Sequence, residues 1–217
     1  MVGLTPYRAE LHNGWKQRYN INWKSTPILH FQKSILVKNS SLKSFYDKVY
    51  KKGETKHFTS YITTGTTTDE IKEVLKELNW KNKLVLDVGC GTGLFAYGLS
   101  KLGPKQVLGI DFSKNAIEIA KKTHKNHNLQ YQVLDVKEIK SKYDVIVSLG
   151  TIEHVDNVLA VLKILKKHLT QNGKIIVTSP NWTNPRGYIL MTLWHLFNAP
   201  ITLADLHYQT PIDFQNY

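Results

Sequence analysis

Short apolar runs and amphipathic stretches alternate along the middle of the chain. The apolar runs have the length of buried strands, and the stretches between them repeat apolar residues at helical spacing. The predicted strands are Leu84–Val88, Gln106–Ile110, Leu129–Leu134, Tyr143–Ser148 and Lys174–Thr178. Because strands that alternate with helices form parallel sheets covered on both faces, the pattern predicts a doubly wound, mostly parallel α/β fold.

Local signals place the helices of this pattern. Their predicted starts are Thr68-Asp69, Leu94, Ser113 and Val158, and Ser113 and Asp69 belong to the residue types that cap helices. The helix that begins at Val158 is expected to reach Leu169 and to end at Asn172-Gly173, a turn signal that precedes the fifth strand. A further helix, from Tyr188 to Phe197, is apolar almost all round and therefore needs a cover. Core packing, an acceptor-pocket lid and a membrane surface are the three covers considered.

The chain divides into three predicted regions. Residues 1–56 form an extension without a clear period, except for a helix near 42–52 that Gly53 ends; residues 57–181 hold the alternating pattern; residues 182–217 hold the apolar helix and the chain end. Thr210-Pro211-Ile212-Asp213 has the composition of a helix start, with only four residues after it.

Composition narrows the class of protein. The 217 residues are 41 % hydrophobic, which is enough for a core, and contain one cysteine, Cys90, so a disulfide framework and a cysteine-based zinc site are excluded. No signal peptide and no apolar run of about 18 residues is found, which predicts a cytoplasmic protein without a transmembrane helix.

Positive charge is concentrated near the N-terminus. Residues 1–56 contain 11 basic and 3 acidic residues, a net charge of +8 within the +12 of the chain. Aromatic residues such as Trp15 and Tyr19 are interleaved with them, which is typical of single-stranded nucleic-acid binding. Only three of the 29 basic residues are arginines, so a solvated lysine-rich surface is the alternative.

The centre of the chain is the glycine turn, defined here as Gly89-Cys90-Gly91-Thr92-Gly93, directly after the first strand. Glycines allow a ligand to approach the backbone closely, and the helix that follows presents unpaired N–H groups. The dinucleotide fingerprint needs a third glycine where Leu94 stands, and the phosphate loop needs a Gly-Lys-Ser/Thr ending that is absent. The motif is therefore Asp-x-Gly-x-Gly-x-Gly, starting at Asp87.

This stretch resembles motif I of the class I S-adenosylmethionine-dependent methyltransferases, which have a Rossmann-like fold. The resemblance implies S-adenosylmethionine as cofactor, with Gly89, Cys90 and Gly91 against its methionine part and Asp87 near its ammonium group. Cys90 is interpreted as a packing residue, not a nucleophile, because no base is adjacent to it in sequence.

Further candidates follow the next three strands. Asp111 ends the second strand 22 residues after Gly89, close to the ~20 typical of an acid that binds ribose hydroxyls. The residue after this acid is expected to pack against adenine. The resemblance places the two residues after the third strand at the adenine amino group and ring nitrogen. Further cofactor contacts are expected from the end of the fourth strand and from an aromatic segment before motif I. These residues are Phe112, Asp135, Val136, Leu149 and Tyr61, with His57 as a neighbouring candidate.

His154 is the candidate catalytic residue. Ile152-Glu153-His154-Val155 resembles the segment after the fourth strand in methyltransferases that act on quinone precursors and sugars. Histidine can remove a proton from an oxygen or nitrogen acceptor near neutral pH. The alternative is that His154 only orients a loop. No metal site is expected, since neither His124 and His127 nor His195, Asp205 and His207 have a diagnostic spacing.

The sequence thus predicts methyl transfer to an O, N or C atom of a small-molecule acceptor. A nucleic-acid methyltransferase is the first alternative, although the Asn/Asp-Pro-Pro-Tyr/Phe motif of base methylation is missing at Leu149-Gly150-Thr151-Ile152. An inactive cofactor-binding partner module is the second. The resembling family continues into a helix and two more strands beside the fifth. A C-terminally truncated sheet with a bare edge at the fifth strand is therefore expected, unless the N-terminal 40 residues or a second chain fill the gap.

Overall fold

The computed structural model describes residues 69–179, 185–197 and 214. Five strands and five helices are assigned within this part of the chain. Their bounds are α1 Asp69–Lys76, β1 Leu84–Val88, α2 Leu94–Ser100, β2 Gln106–Asp111, α3 Lys114–Thr123, β3 Leu129–Val133, β4 Tyr143–Leu149, α4 Val158–Lys167, β5 Leu169–Thr178 and α5 Pro185–Phe197. Short 3₁₀ helices span Val136–Glu138 and Ile152–His154.

The five strands form one parallel sheet in the order β3-β2-β1-β4-β5. The chain builds outward from β1 through β2 to β3, and then returns to the other side of β1 to add β4 and β5. The register aligns Val88 with Ile110 and Asp111 with Val133, so the carboxyl ends of the inner strands meet at one edge. This is the predicted doubly wound α/β fold.

Strand alternation gives the sheet two buried faces. One face packs β1, β2 and β4 against α1, α2 and α3, with Val85, Leu99 and Ile117 in its core. The other face packs Leu86, Ile146 and Leu165 together, the last of these from α4. Because both faces are covered, the inner strands are apolar on both sides, which explains their near-continuous Leu, Val and Ile runs.

Helix α1 is fixed to the sheet by its apolar face and by a tryptophan beyond its end. Val74 is buried, and Ile71 and Leu75 pack beside it, as the helical spacing predicts. Trp80 is 2 % exposed, and its indole N–H donates to the Leu75 carbonyl oxygen over 2.7 Å. The indole therefore closes the end of α1 with its one polar group satisfied.

Strand β5 begins earlier than expected. The helix α4 ends at Lys167, and the strand starts at Leu169, so the predicted end of the helix at Asn172-Gly173 is wrong. The register against β4 slips from Tyr143–Leu169 to Val145–Lys174, so Asn172 and Gly173 lie in an irregularity inside the strand. Turn residues mark such irregularities as well as helix ends, which explains the error.

Asp144 joins the amino ends of three strands. Its carboxylate accepts a hydrogen bond from the Leu84 backbone N–H (2.9 Å) and one from the Thr170 hydroxyl (3.1 Å). Leu84 starts β1 and Thr170 lies at the start of β5, so one side chain of β4 ties both neighbours. The register slip in β5 therefore begins after Thr170, which the hydrogen bond to Asp144 holds in place.

Helix α5 has large apolar side chains at the surface. Tyr188, Ile189, Leu196 and Phe197 are each more than 60 % exposed. Of the three covers considered, core packing is therefore not the one that these side chains have. Within the described residues, no helix is long and apolar enough to cross a membrane.

Several predictions concern segments that the structure does not describe. These include the basic extension and its helix near 42–52, the candidates His57 and Tyr61, the residues Asp205 and His207, and the helix start at Thr210. In the described part, β5 pairs with β4, and no second neighbour of β5 is assigned there. The three predicted region boundaries remain predictions.

Candidate functional site

The glycine turn requires glycine at three positions. Gly89, Gly91 and Gly93 have φ angles of +74°, +52° and +84°, where a residue with a Cβ is strained. A Cβ on Gly89 would overlap the Thr151 side chain, and one on Gly93 would lie 2.5 Å from the Tyr131 hydroxyl oxygen. Backbone angle and space thus both exclude a side chain at Gly89 and Gly93, the backbone angle alone disfavours one at Gly91, and the turn predicted from sequence is present.

Asp111 holds the glycine turn from the neighbouring strand. One oxygen of its buried carboxylate accepts from the Gly91 N–H over 3.0 Å, and the other accepts from the Ser113 N–H over 2.8 Å. Ser113 in turn caps α3, because its hydroxyl accepts from the Ala116 N–H. A carboxylate can accept about four hydrogen bonds, so an acid suits a position that holds the turn and also meets the hydroxyls of a ligand.

Asp87 lies beneath the glycine turn in an environment that differs from that of Asp111. It sits on β1 between Gly109 and Val147 of the neighbouring strands and is 2 % exposed. Within the described residues, its Oδ2 has no hydrogen-bond partner. Burial, with a smaller contribution from the Asp111 charge, raises the pKa of Asp87 from 3.8 to about 8. A cation placed beside it would favour the charged form, so the site fits an ammonium group.

Cys90 packs inside the turn. Its backbone N–H and that of Gly89 both donate to the Ile110 carbonyl oxygen, over 3.0 and 2.9 Å. A Cβ on Gly109 would lie 3.0 Å from the Cys90 sulfur, so the side chain fills the space above that glycine. Burial and the nearby carboxylates raise the pKa of the thiol, which makes it a poor nucleophile. The packing interpretation of Cys90 agrees with this environment.

The residues predicted to surround adenine follow β2 and β3. Phe112 is half-buried, and Asp135 is exposed at the start of the 3₁₀ helix Val136–Glu138. Asp135 Oδ1 accepts from the Lys137 N–H, and Glu138 Oε2 accepts from the Asp135 N–H, at 2.9 and 3.1 Å. This capping box orients the Asp135 carboxylate, and the sequence had not indicated it.

The segment after β4 closes over the turn. The Thr151 hydroxyl donates to the Leu149 carbonyl oxygen (2.9 Å), and the Thr151 side chain covers Gly89. His154 is half-exposed at the end of the 3₁₀ helix, where its backbone N–H donates to the Thr151 carbonyl oxygen over 3.1 Å. Glu153 is only 3 % exposed beside it and was not selected from the sequence.

The sheet order brings most of the candidates to one edge. Strands β1 and β4 are neighbours, and the connections of the sheet run in opposite directions from this pair. Ligands of doubly wound sheets bind outside the carboxyl ends of the strands at such a switch point. Asp87, Asp111, Leu149 and His154 come from the ends of β1, β2 and β4 there. Among the residues with described coordinates, no group of three His, Cys, Asp or Glu side chains could hold a metal ion.

Three further side chains support the turn and were not selected as site residues. Thr151 covers Gly89, the Tyr131 hydroxyl donates to the Gly93 carbonyl oxygen (3.1 Å), and His124 Nδ1 lies 2.8 Å from the Thr92 carbonyl oxygen. The alternation of buried and exposed residues in β3 marks Tyr131 as a core residue, but nothing local points to its partner. In the sequence, His124 stands out only as one of a histidine pair without a diagnostic metal-ligand spacing.

Comparison with known proteins shows which family the chain belongs to. The sequence profile of the family described as methyltransferase domain matches residues 79–206, more than half of the chain. The chain is 37 % identical over 144 residues to the ubiquinone biosynthesis O-methyltransferase of Pelagibacter ubique (strain HTCC1062), covering 58 % of this chain and 60 % of that protein. It is 31 % identical over 107 residues to the tRNA U34 carboxymethyltransferase of Campylobacter fetus subsp. fetus (strain 82-40), covering 46 % and 37 %. The chain thus spans 60 % or less of the length of these curated relatives.

A solved structure has the same fold. The magnesium protoporphyrin IX methyltransferase from Synechocystis PCC 6803, crystallised with bound SAH, matches with a TM-score of 0.65 and 17 % identity, covering 80 % of this chain and 86 % of that one. The profile match confirms the resemblance drawn from motif I, and the solved structure agrees with it in fold. The chain belongs to the family of S-adenosylmethionine-dependent methyltransferase domains.

Proposed function

We propose that this protein transfers a methyl group from S-adenosylmethionine to an O, N or C atom of a small-molecule acceptor. The observation that carries the proposal is Asp87, a buried carboxyl group beneath a glycine turn at the switch point of the sheet, with an oxygen that has no partner among the described residues. An unpartnered polar atom in that position is costly unless a ligand group meets it. The ammonium end of the cofactor is a group of the right charge.

The cofactor would lie along the carboxyl edge of the sheet. Asp87 and the backbone of Gly89 to Gly91 would hold its methionine end, and Asp111 would accept from the ribose hydroxyls. The remaining contacts would come from Phe112, Asp135, Val136 and Leu149, and from Tyr61 outside the described residues. When bound, S-adenosylmethionine supplies an electrophilic methyl group, so the protein's main task is alignment of the acceptor.

His154 is the proposed base for an oxygen or nitrogen acceptor. It follows β4, half-exposed, on the same edge as the glycine turn. The 3₁₀ helix is fixed from below by the buried side chain of Ile152, which is 1 % exposed. A histidine on such a support can face the acceptor and take its proton in the transition state.

The acceptor would be a partly apolar small molecule. Helix α5 belongs to the proposed acceptor region 182–217, and the exposed side chains of Tyr188, Ile189 and Leu193 offer an apolar surface. The similarity to a ubiquinone biosynthesis O-methyltransferase supports an acceptor of this class. Residues 57–181 would then form the cofactor-binding core, and residues 1–56 a basic extension.

RNA methylation is the second candidate function. The net charge of +8 in residues 1–56 favours it, because clustered basic residues with interleaved aromatics suit a nucleic-acid backbone and its bases. The similarity to a tRNA U34 carboxymethyltransferase supports RNA as the acceptor, although the group named for that protein is carboxymethyl.

One experiment separates these functions. The full chain is incubated with methyl-labelled S-adenosylmethionine and, in parallel, with a metabolite extract rich in hydroxylated aromatics or with an RNA pool. Label in an extractable small molecule is the expected result, and label in RNA would replace it with the second function. The variant Asp111→Ala, which should bind the cofactor weakly, is the background control. Cofactor binding without transfer to either pool would identify an inactive binding module.

A further inference from the structure

Two side chains that are distant in sequence hold the carbonyl groups of the glycine turn. His124 Nδ1 lies 2.8 Å from the Thr92 carbonyl oxygen, and the Tyr131 hydroxyl donates to the Gly93 carbonyl oxygen over 3.1 Å. His124 comes from the end of α3 and Tyr131 from β3. Both are therefore fixed by elements other than the strand and helix that the turn connects.

The His124 contact assigns a hydrogen to one ring nitrogen. A carbonyl oxygen can only accept, so Nδ1 is the donor to Thr92. The peptide between Thr92 and Gly93 is then held at both ends, because the Gly93 N–H donates to the Cys90 carbonyl oxygen over 2.9 Å. Peptide rotation is the low-cost distortion of a glycine-rich turn, and these bonds oppose it.

The ring of His124 is itself held in place. It packs against the Tyr97 ring, with centroids 5.1 Å apart, and the Lys101 ammonium lies 3.9 Å from the centroid of the same Tyr97 ring. The loop that follows is fastened to α2, since Asn126 Nδ2 donates to the Ser100 hydroxyl over 2.9 Å. These contacts hold the His124 ring in one orientation.

Tyr131 is supported in a different way. Its ring is 8 % exposed and fills the space that glycine leaves at Gly93 and Gly109. Burial raises the pKa of the Tyr131 hydroxyl, so the group stays a hydrogen-bond donor across the physiological range. Its bond to the Gly93 carbonyl oxygen does not depend on pH there.

We propose that His124 and Tyr131 are positioning residues that keep the glycine turn in the conformation that binds the cofactor. The proposal rests on the proposed function, because the turn is assumed to contact S-adenosylmethionine. Neither side chain needs to touch the cofactor. Their effect is to reduce the ordering that binding would otherwise require, which improves affinity without a new contact.

The test compares S-adenosylhomocysteine affinity, by calorimetry, with melting temperature in four variants of the full chain. Tyr131→Phe keeps the ring and removes the hydroxyl, and His124→Leu removes the donor. Each should weaken binding by about threefold to tenfold, the effect of one hydrogen bond. His124→Asn, whose amide nitrogen can replace Nδ1, should bind within about twofold of the wild type. Asn126→Ala, which removes the amide bonds to Ser100 and to the His127 N–H but none to the glycine turn, should lower the melting temperature and leave the affinity within the same limit.

Each result has one interpretation. Wild-type affinity in both Tyr131→Phe and His124→Leu would overturn the proposal while the wild type still binds. A loss in His124→Asn as large as in His124→Leu would show that ring packing, not the Nδ1 hydrogen bond, matters, and would overturn the role given to His124. Affinity that falls in proportion to melting temperature in all four variants, Asn126→Ala included, would reduce both residues to a structural role. Absence of binding by the wild type would refute the proposed function itself.

Discussion

Binding of the cofactor should release a proton from Asp87. The pKa of Asp87 in the cofactor-free protein is raised to about 8, chiefly by burial and then by Asp111. About nine in ten molecules therefore hold the proton at pH 7. An ammonium group beside the carboxyl stabilises its charged form, so binding at pH 7 should release about 0.9 proton per site, falling to about 0.5 at pH 8.

Titration calorimetry measures this release directly. S-adenosylhomocysteine is titrated at pH 7 in two buffers that differ in ionisation enthalpy, and the difference in binding enthalpy gives the number of protons released. The variant Asp87→Asn has the same size and cannot ionise, so it reports the contribution of all other groups. Equal proton release by the wild type and Asp87→Asn would refute the argument.

The same group makes stability depend on pH. Between its ordinary pKa of 3.8 and the folded value of about 8, the folded state holds a proton that the unfolded state has lost. The contribution of Asp87 to the free energy of unfolding is therefore full below pH 3.8 and is lost as the pH rises through 8. Across this window it should lower the free energy of unfolding by at most about 1.4 kcal/mol per pH unit. The free energy of unfolding, measured by denaturant titration at pH 5 to 8, should fall less steeply with pH in Asp87→Asn than in the wild type.

Three further substitutions test the site. Asp111→Ala should weaken cofactor binding by about 1–3 kcal/mol, as expected for hydrogen bonds to a charged group, and unchanged affinity in calorimetry would remove Asp111 from the site. His154→Ala should lower turnover by about 10²–10⁴ while cofactor affinity stays the same, and near-normal turnover would leave His154 with a structural role. Gly89→Ala should destabilise the fold by about 1–3 kcal/mol. Gly103→Ala is its matched control in thermal denaturation. Gly103 also has a positive φ of +79°, but in the described part of the chain the nearest atom to its Cβ would be 3.9 Å away. Equal losses would mean that the overlap with Thr151 costs nothing.

The parts of the fold that depend on local order could be predicted from the sequence. The strand β1, the glycine turn and the Ser113 cap each occupy a few consecutive residues, so propensity and spacing are enough. The parallel sheet follows from the alternation of strands and helices. The bounds of β5 failed because Asn172-Gly173 can end a helix or interrupt a strand, and only the pairing with β4 decides between them.

The supports of the site could not be predicted for a different reason. His124, Tyr131 and Thr151 contact the turn across 32, 38 and 62 residues of sequence, respectively. A single sequence shows no relation between positions so far apart. The protonation of Asp87 was likewise hidden, because it results from burial and from the Asp111 charge on another strand, and neither is a property of the motif.

Asp144 fixes the sheet at the end opposite to the proposed cofactor site. It fastens the amino ends of β1, β4 and β5, whereas the glycine turn, Asp135 and His154 all lie beyond the carboxyl ends. The starts of β1 and β5 are thus held by hydrogen bonds to a residue that lies away from the proposed ligand site. Loops at the carboxyl edge can consequently change in length or sequence without shifting the strands that carry them. Substrate preference in such a domain can diverge while its frame stays constant, and loop exchange between relatives is a practical route to new acceptors.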